Sequence, residues 1–158
     1  MVFAIRWDII IEVSLLVLVL AGAIVVSSIL IIRRLQKEFK DLYRQQSKFD
    51  IELRKSANLI SKVIKNEEFE KYENSIIKEL AFIDKKALLD LIDTTYQLID
   101  IEDETNQYVK ETYENLHETR RQLDSKVLGY NQLISMFPFN FYAGILKMKK
   151  MPHYTHNE

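Results

Sequence analysis

The chain has 158 residues, 22 basic and 23 acidic, and a formal net charge of −1. A balance so even excludes the strongly basic chains that grip nucleic acid, and no nucleic-acid partner is expected. Cysteine is absent, which removes disulfides, thiolate nucleophiles and zinc–cysteine sites, and three glycines and two prolines are too few for a β-sandwich or barrel.

Residues 9–32 read IIIEVSLLVLVLAGAIVVSSILII, with Glu12 the one charge. A helix rises about 1.5 Å per residue, so this run can cross a hydrocarbon core of about 30 Å. A cleaved signal sequence would start basic and end at a small-residue site. Ala21-Gly22-Ala23 offers such a site, yet the apolar run continues through Ile32, and Asp8 and Glu12 stand where basic residues would lead. The expectation is a retained single span in contact with membrane lipid. Arg33, Arg34, Lys37, Lys40 and Arg44 follow it, against Arg6 before it. The positive-inside bias therefore puts residues 1–8 outside and everything after the span in the cytoplasm. Trp7 suits the outer interface. Glu12, about one turn inside, reads first as a carboxylate snorkelling to the surface, with a buried proton or ion site as the functional alternative.

From Ile32 to Val63 no proline or glycine intervenes. Leu35, Phe39, Leu42, Gln46, Phe49, Leu53, Ser56, Ile60 and Val63 recur at spacings of four and three, a heptad-like stripe on one helix continuous with the span. Lys65-Asn66-Glu67 is the expected stop, with Asn66 free to cap the next helix. Phe69, Tyr72, Ile76, Leu80 and Ile83 predict a second, shorter helix. Leu88, Leu89, Leu91, Ile92, Tyr96 and Ile99 predict a third, ending near Asp100. The acids Asp100, Glu102, Asp103 and Glu104 lack the spacing and glycine of a calcium loop and read as the start of a helix. The fourth helix, about residues 104–137, carries Val109, Tyr113, Leu116, Arg120, Leu123, Val127, Tyr130, Ile134 and Phe137 and should end at Pro138. Residues 139–158 form an amphipathic basic tail, with Asn140 as a cap and Lys147, Lys149 and Lys150 beside Phe141, Tyr142 and Ile145. The tail either docks on the bundle or lies on an anionic membrane surface.

The run Thr119-Arg120-Arg121, Val127, Tyr130-Asn131, Ile134, Phe137-Pro138, Asn140 and Ala143 resembles the C-terminal signature of the LemA family, roughly ARRxYNxxVxxYNxxIxxFPxNxxA. Residues Phe49 to Lys55, with Asn58-Leu59-Ile60 and Val63, resemble its IDVQLKRRxDLIPNLV block, and Met151-Pro152-His153-Tyr154 is similar to its KPYF ending. Leu123-Asp124 and Ser61 depart from the pattern. The resemblance implies an all-α fold: one N-terminal transmembrane helix in a bacterial plasma (inner) membrane, continuing into an antiparallel, up-down, LemA-like four-helix bundle over residues 33–138. It implies no established activity.

No phosphate loop, GxSxG or HExxH is present, so neither an enzyme nor a cofactor is expected. His117 reads as a lone surface histidine, and His153 and His156 as part of a short polar tail. Arg120, on an otherwise apolar stripe, could bind an anionic partner or pair inside the bundle with a carboxylate such as Glu52. Tyr130 and Asn131 read as packing plus a hydrogen-bonded polar group. The expected helix lengths leave only the first and fourth helices facing each other near the membrane. Two helices cannot cover Leu35, Phe39 and Leu42 together with Val127, Leu128, Tyr130, Leu133, Ile134 and Phe137, so this region is expected to contact other copies or an unidentified partner. Ala23 and Ser27, four apart in the span, could assist. The functional expectation is a self-associating, non-enzymatic membrane scaffold; the rival is a sensory or regulatory subunit relaying a signal to a partner enzyme.

Overall fold

Alternating steps of four and three keep one face of a helix apolar, and that face needs a partner along its whole length. The computed structural model describes residues 7–73, 75–100 and 106–155, and helix is the only regular structure among them. Helix α1 runs unbroken over Trp7–Val63, 57 residues, or about 85 Å. Its apolar first half faces outward and is long and apolar enough to cross a membrane. From Leu35 onward the expected stripe turns inward. Leu35, Leu42, Phe49, Leu53, Ser56 and Ile60 are buried, Phe39 and Gln46 are half-buried, and Val63 at the tip is exposed.

Helix α4, Gln107–Leu133, is the main partner of α1. Phe39 meets Tyr130, Gln45 donates to Gln122, and Ser56 donates to the Thr112 carbonyl. Numbers on α1 rise as those on α4 fall, so the two are antiparallel. Helix α3, Phe82–Tyr96, lies against both. Asp93 bonds His117, and Tyr96 stacks on Tyr113 with ring centroids 3.7 Å apart, so α3 is antiparallel to α4 and climbs beside α1. Leu88, Leu89 and Ile92 are buried between them. Each such side chain contributes about 1.5–3 kcal/mol by leaving water.

The second helix does not form as a continuous element. Asn66 accepts a hydrogen bond from the Glu68 amide, as its capping role requires, but only short turns at Glu67–Phe69 and Ile77–Glu79 and a four-residue helix α2, Glu70–Glu73, come after it. Ile76, Leu80 and Ala81 are extended. The extension puts Ile77 rather than Ile76 into the core and leaves Ile83 exposed. A short charged segment gains little from helix formation without a continuous buried face, and Ser75 Oγ instead bonds the Lys71 carbonyl. The packed helices are therefore α1, α3 and α4, with residues 64–73 and 75–81 as an irregular cover.

At the other end of the bundle the chain turns, with a cis Phe137–Pro138 peptide, into α5, Phe139–Ile145. Asn140 is inside the first turn of this helix rather than ahead of it, and its Oδ1 takes the Phe141 amide. Met148 N–H donates to the Ala143 carbonyl and Lys147 N–H to that of Gly144, with Lys147 at φ 54°. This Schellman-type end places a lysine where glycine is usual and reverses the chain. Residues 148–155 then run back along α4. Of the sequence expectations, the tail before Trp7, Glu102, Asp103, Glu104 and His156 lie outside the described residues.

Candidate functional site

The base of the bundle, where α1 changes from outward-facing apolar residues to buried ones, is the region that the sequence marks for interaction. It is covered by the chain itself. Asn131 on α4 donates through Nδ2 to the Met151 carbonyl (2.8 Å), and its Oδ1 accepts the Met151 amide (2.9 Å). Asp124, seven residues earlier and so on the same face, accepts the Tyr154 amide at 2.8 Å and also bonds Thr155 Oγ1. The Tyr154 ring enters between Phe49 and Phe82, at centroid distances of 4.6 and 4.7 Å. It is buried, and burial, with Asp50 and Asp124 nearby, raises its hydroxyl pKa above the ordinary tyrosine value. Residues 151–155 of the tail thus dock on the bundle.

This docking corrects the exposed-surface expectation residue by residue. Leu35, Leu42, Val127, Tyr130 and Ile134 are buried, and Phe39, Leu133 and Asn131 are half-buried. Helix lengths alone omit α5 and the tail, whose Ala143, Met148, Met151 and Tyr154 pack on the same core. Two of the expected contact residues stay open: Leu128, 51% exposed, and Phe137, 84% exposed. The Tyr130 hydroxyl is buried without a hydrogen-bond partner among the described residues. Its ring packs on Phe39.

A second polar group joins α3 to α4. Asp93 Oδ1 lies 2.8 Å from His117 Nε2, and Asp93 Oδ2 lies 4.0 Å from Arg120 Nη1. His117 is therefore paired, contrary to the expectation of a lone surface histidine, and its ring leans on Tyr113. Arg120 turns to Asp93, not to Glu52, which pairs with Lys55. The Arg120 Nε is buried and unbonded among the described residues. Burial, then the Asp93 carboxylate, pushes the Tyr113 hydroxyl up to about 12. A neutral phenol, a shared carboxylate, an imidazole and a guanidinium can hold a helix pair in register. No nucleophile with an activating base stands among them.

At the tip, a cleft of about 940 Å³ is lined by Arg54, Lys62 and Lys65 but equally by Glu67, Glu70 and Glu73. With three basic and three acidic side chains on one lining, neither sign of charge marks a ligand. The tail clamp is not visible in the sequence as a site: Asn131 stands out only as a motif residue, Asp124 only as a departure from the motif, and Asp93 does not stand out at all. The available signal is the i, i+7 placement of Asp124 and Asn131, two polar groups on one face of α4.

Comparison of the chain with family models, with curated proteins and with solved structures returns no match.

Proposed function

We propose that this chain is a membrane-anchored, non-enzymatic scaffold of the LemA type that associates with copies of itself. The observation that supports it most is the continuity of α1. One helix carries an outward-facing apolar stretch and then the central packing face of the bundle, without a break. The bundle is thereby held at a fixed distance from the anchor, which suits a platform better than a tethered catalyst. The basic cluster after Ile32 supports a cytoplasmic bundle and an outside N-terminus. The motif residues that resemble the LemA family are mainly structural in this fold: Val127, Tyr130 and Ala143 pack, and Asn131 holds the tail.

Self-association is supported by Leu128, half-exposed on α4, and by the small Ala23 and Ser27 on one face of the apolar stretch. Purification of the full chain in mild detergent tests the proposal. A discrete homo-oligomer that Leu128→Glu dissociates without loss of helix is the expected result. A monomer, or a stoichiometric second protein in place of further copies, contradicts it, the latter in favour of a regulatory subunit.

A further inference from the structure

Helix α5 is apolar all round: FNFYAGI has Asn140 as its one strongly polar residue. One face meets α1 through Tyr142, with Ala143 buried beside it. The opposite face, Phe141 and Ile145, is 64% and 62% exposed, and Phe137 in the preceding turn stands further out still. An apolar face of this kind in water calls for an occupant.

Three observations identify that occupant. First, the Tyr142 hydroxyl and Ser28 Oγ are 2.5 Å apart. Ser28 is four residues inside the apolar stretch that ends at Ile32, so α5 lies beside its last turn, about 6 Å below the end. Second, Arg34 sits 5.4 Å from the centre of the Phe139 ring, which puts one of the two arginines that end the stretch against α5. Third, there is no aspartate or glutamate from Ser125 to Asn157, whereas Lys147, Lys149 and Lys150 follow α5 and are exposed. Aromatic rings at a water–lipid boundary with lysines on the wet side are the composition of an interfacial helix.

We infer that α5 and the turn before it form a second membrane contact, a wedge whose Phe137, Phe141 and Ile145 enter the leaflet surrounding α1 while Lys147, Lys149 and Lys150 meet anionic lipid headgroups. This rests on the proposal that residues 9–32 cross the bilayer. The chain then grips one leaflet at two places, which fixes the tilt of the bundle against the surface instead of leaving it to swing on one helix. The wedge also anchors the point from which the tail departs to clasp α4.

The absence of cysteine makes the test direct. The full chain carries an environment-sensitive fluorophore at F141C, I145C, L18C or L98C and is reconstituted into vesicles containing lipids brominated near the headgroup or deep in the chain. Leu98 is exposed near the tip and reports water; Leu18 reports the span. Labels at F141C and I145C should be quenched several-fold more than that at L98C, and by the shallow bromines most strongly. The label at L18C should respond to the deep ones. Quenching at F141C should be about twofold greater in anionic than in neutral vesicles, with the difference removed by high salt. If L18C is quenched and F141C and I145C behave like L98C, the wedge is wrong while the span stands. If L18C is also unquenched, both fail. Labels at F141C and I145C that are shielded from water but indifferent to brominated lipid place a second copy on this face and overturn the inference. Equal quenching in neutral and anionic vesicles overturns the assignment of the lysines.

Discussion

The Lys85 ammonium donates to Asp50 Oδ1 at 2.7 Å, joining the first turn of α3 to the bundle half of α1 where both side chains are almost sealed from water. Burial raises the Asp50 pKa above its ordinary value, and the Lys85 hydrogen bond and charge offset only part of that. Such a pair does not have to stabilise the fold, but either member alone is a buried, uncompensated charge.

This geometry predicts the outcome of a double-mutant cycle. Lys85→Met should cost about 3–5 kcal/mol, because the Asp50 carboxylate loses its partner. The pair Asp50→Leu with Lys85→Met should recover most of that loss, since two apolar side chains fill the same place. Denaturant unfolding of the reconstituted chain measures both. A double variant no more stable than Lys85→Met would show that the site cannot repack.

The tail should be integral to stability, not an appendage. Tyr154→Ala removes a ring held between Phe49 and Phe82 and should cost about 3–5 kcal/mol, as large aromatic truncations in a core do. Asn131→Ala leaves the Met151 amide and carbonyl without their bonds and should cost about 1–3 kcal/mol. Hydrogen exchange at the Met151 and Tyr154 amides should accelerate in both variants. Unchanged exchange would mean that the tail is held by other contacts.

The tyrosines give the fold an alkaline limit. Tyr96, Tyr113, Tyr130 and Tyr154 all have pKa values raised, chiefly by burial, and that of Tyr113 is pushed up to about 12. A phenol whose folded pKa exceeds its unfolded value contributes stability that is whole below the unfolded value, near 10, and is lost above it. Stability should therefore decline as the pH rises from about 10 through about 12. Phenolate absorbance should appear in two stages, the second coinciding with loss of helix. A single early stage with the helices intact would contradict the burial of these rings.

Much of this architecture is legible in the sequence where one long helix meets another. The stripes from Leu35 to Ile60 and from Val109 to Ile134 mark buried faces, because a period of 3.6 maintained over many turns has no other use. Legibility ends where regularity stops. Ile76 and Ile77 both fit a buried position, and backbone extension at Ile76 selects Ile77, which spacing alone does not reveal. The base of the bundle reads as uncovered because its cover is a short helix and an extended tail. Part of the tail's hold comes from backbone groups of Met151 and Tyr154, and backbone bonds leave no residue pattern. Arg120 stands out as a charge on an apolar stripe, but its partner Asp93 belongs to a different helix, and single-sequence spacing does not say which helix faces which.

A single crossing with a cytoplasmic bundle is what the proposed scaffold requires. Fusion of a reporter active only in the cytoplasm after Glu158, paired with a second fusion active only after export, measures it directly. The cytoplasmic reporter should be active and the exported one silent, with the protein in the membrane fraction and resistant to high-salt extraction. Activity of the exported reporter alone, or release of the chain by salt, would contradict the orientation or the anchor.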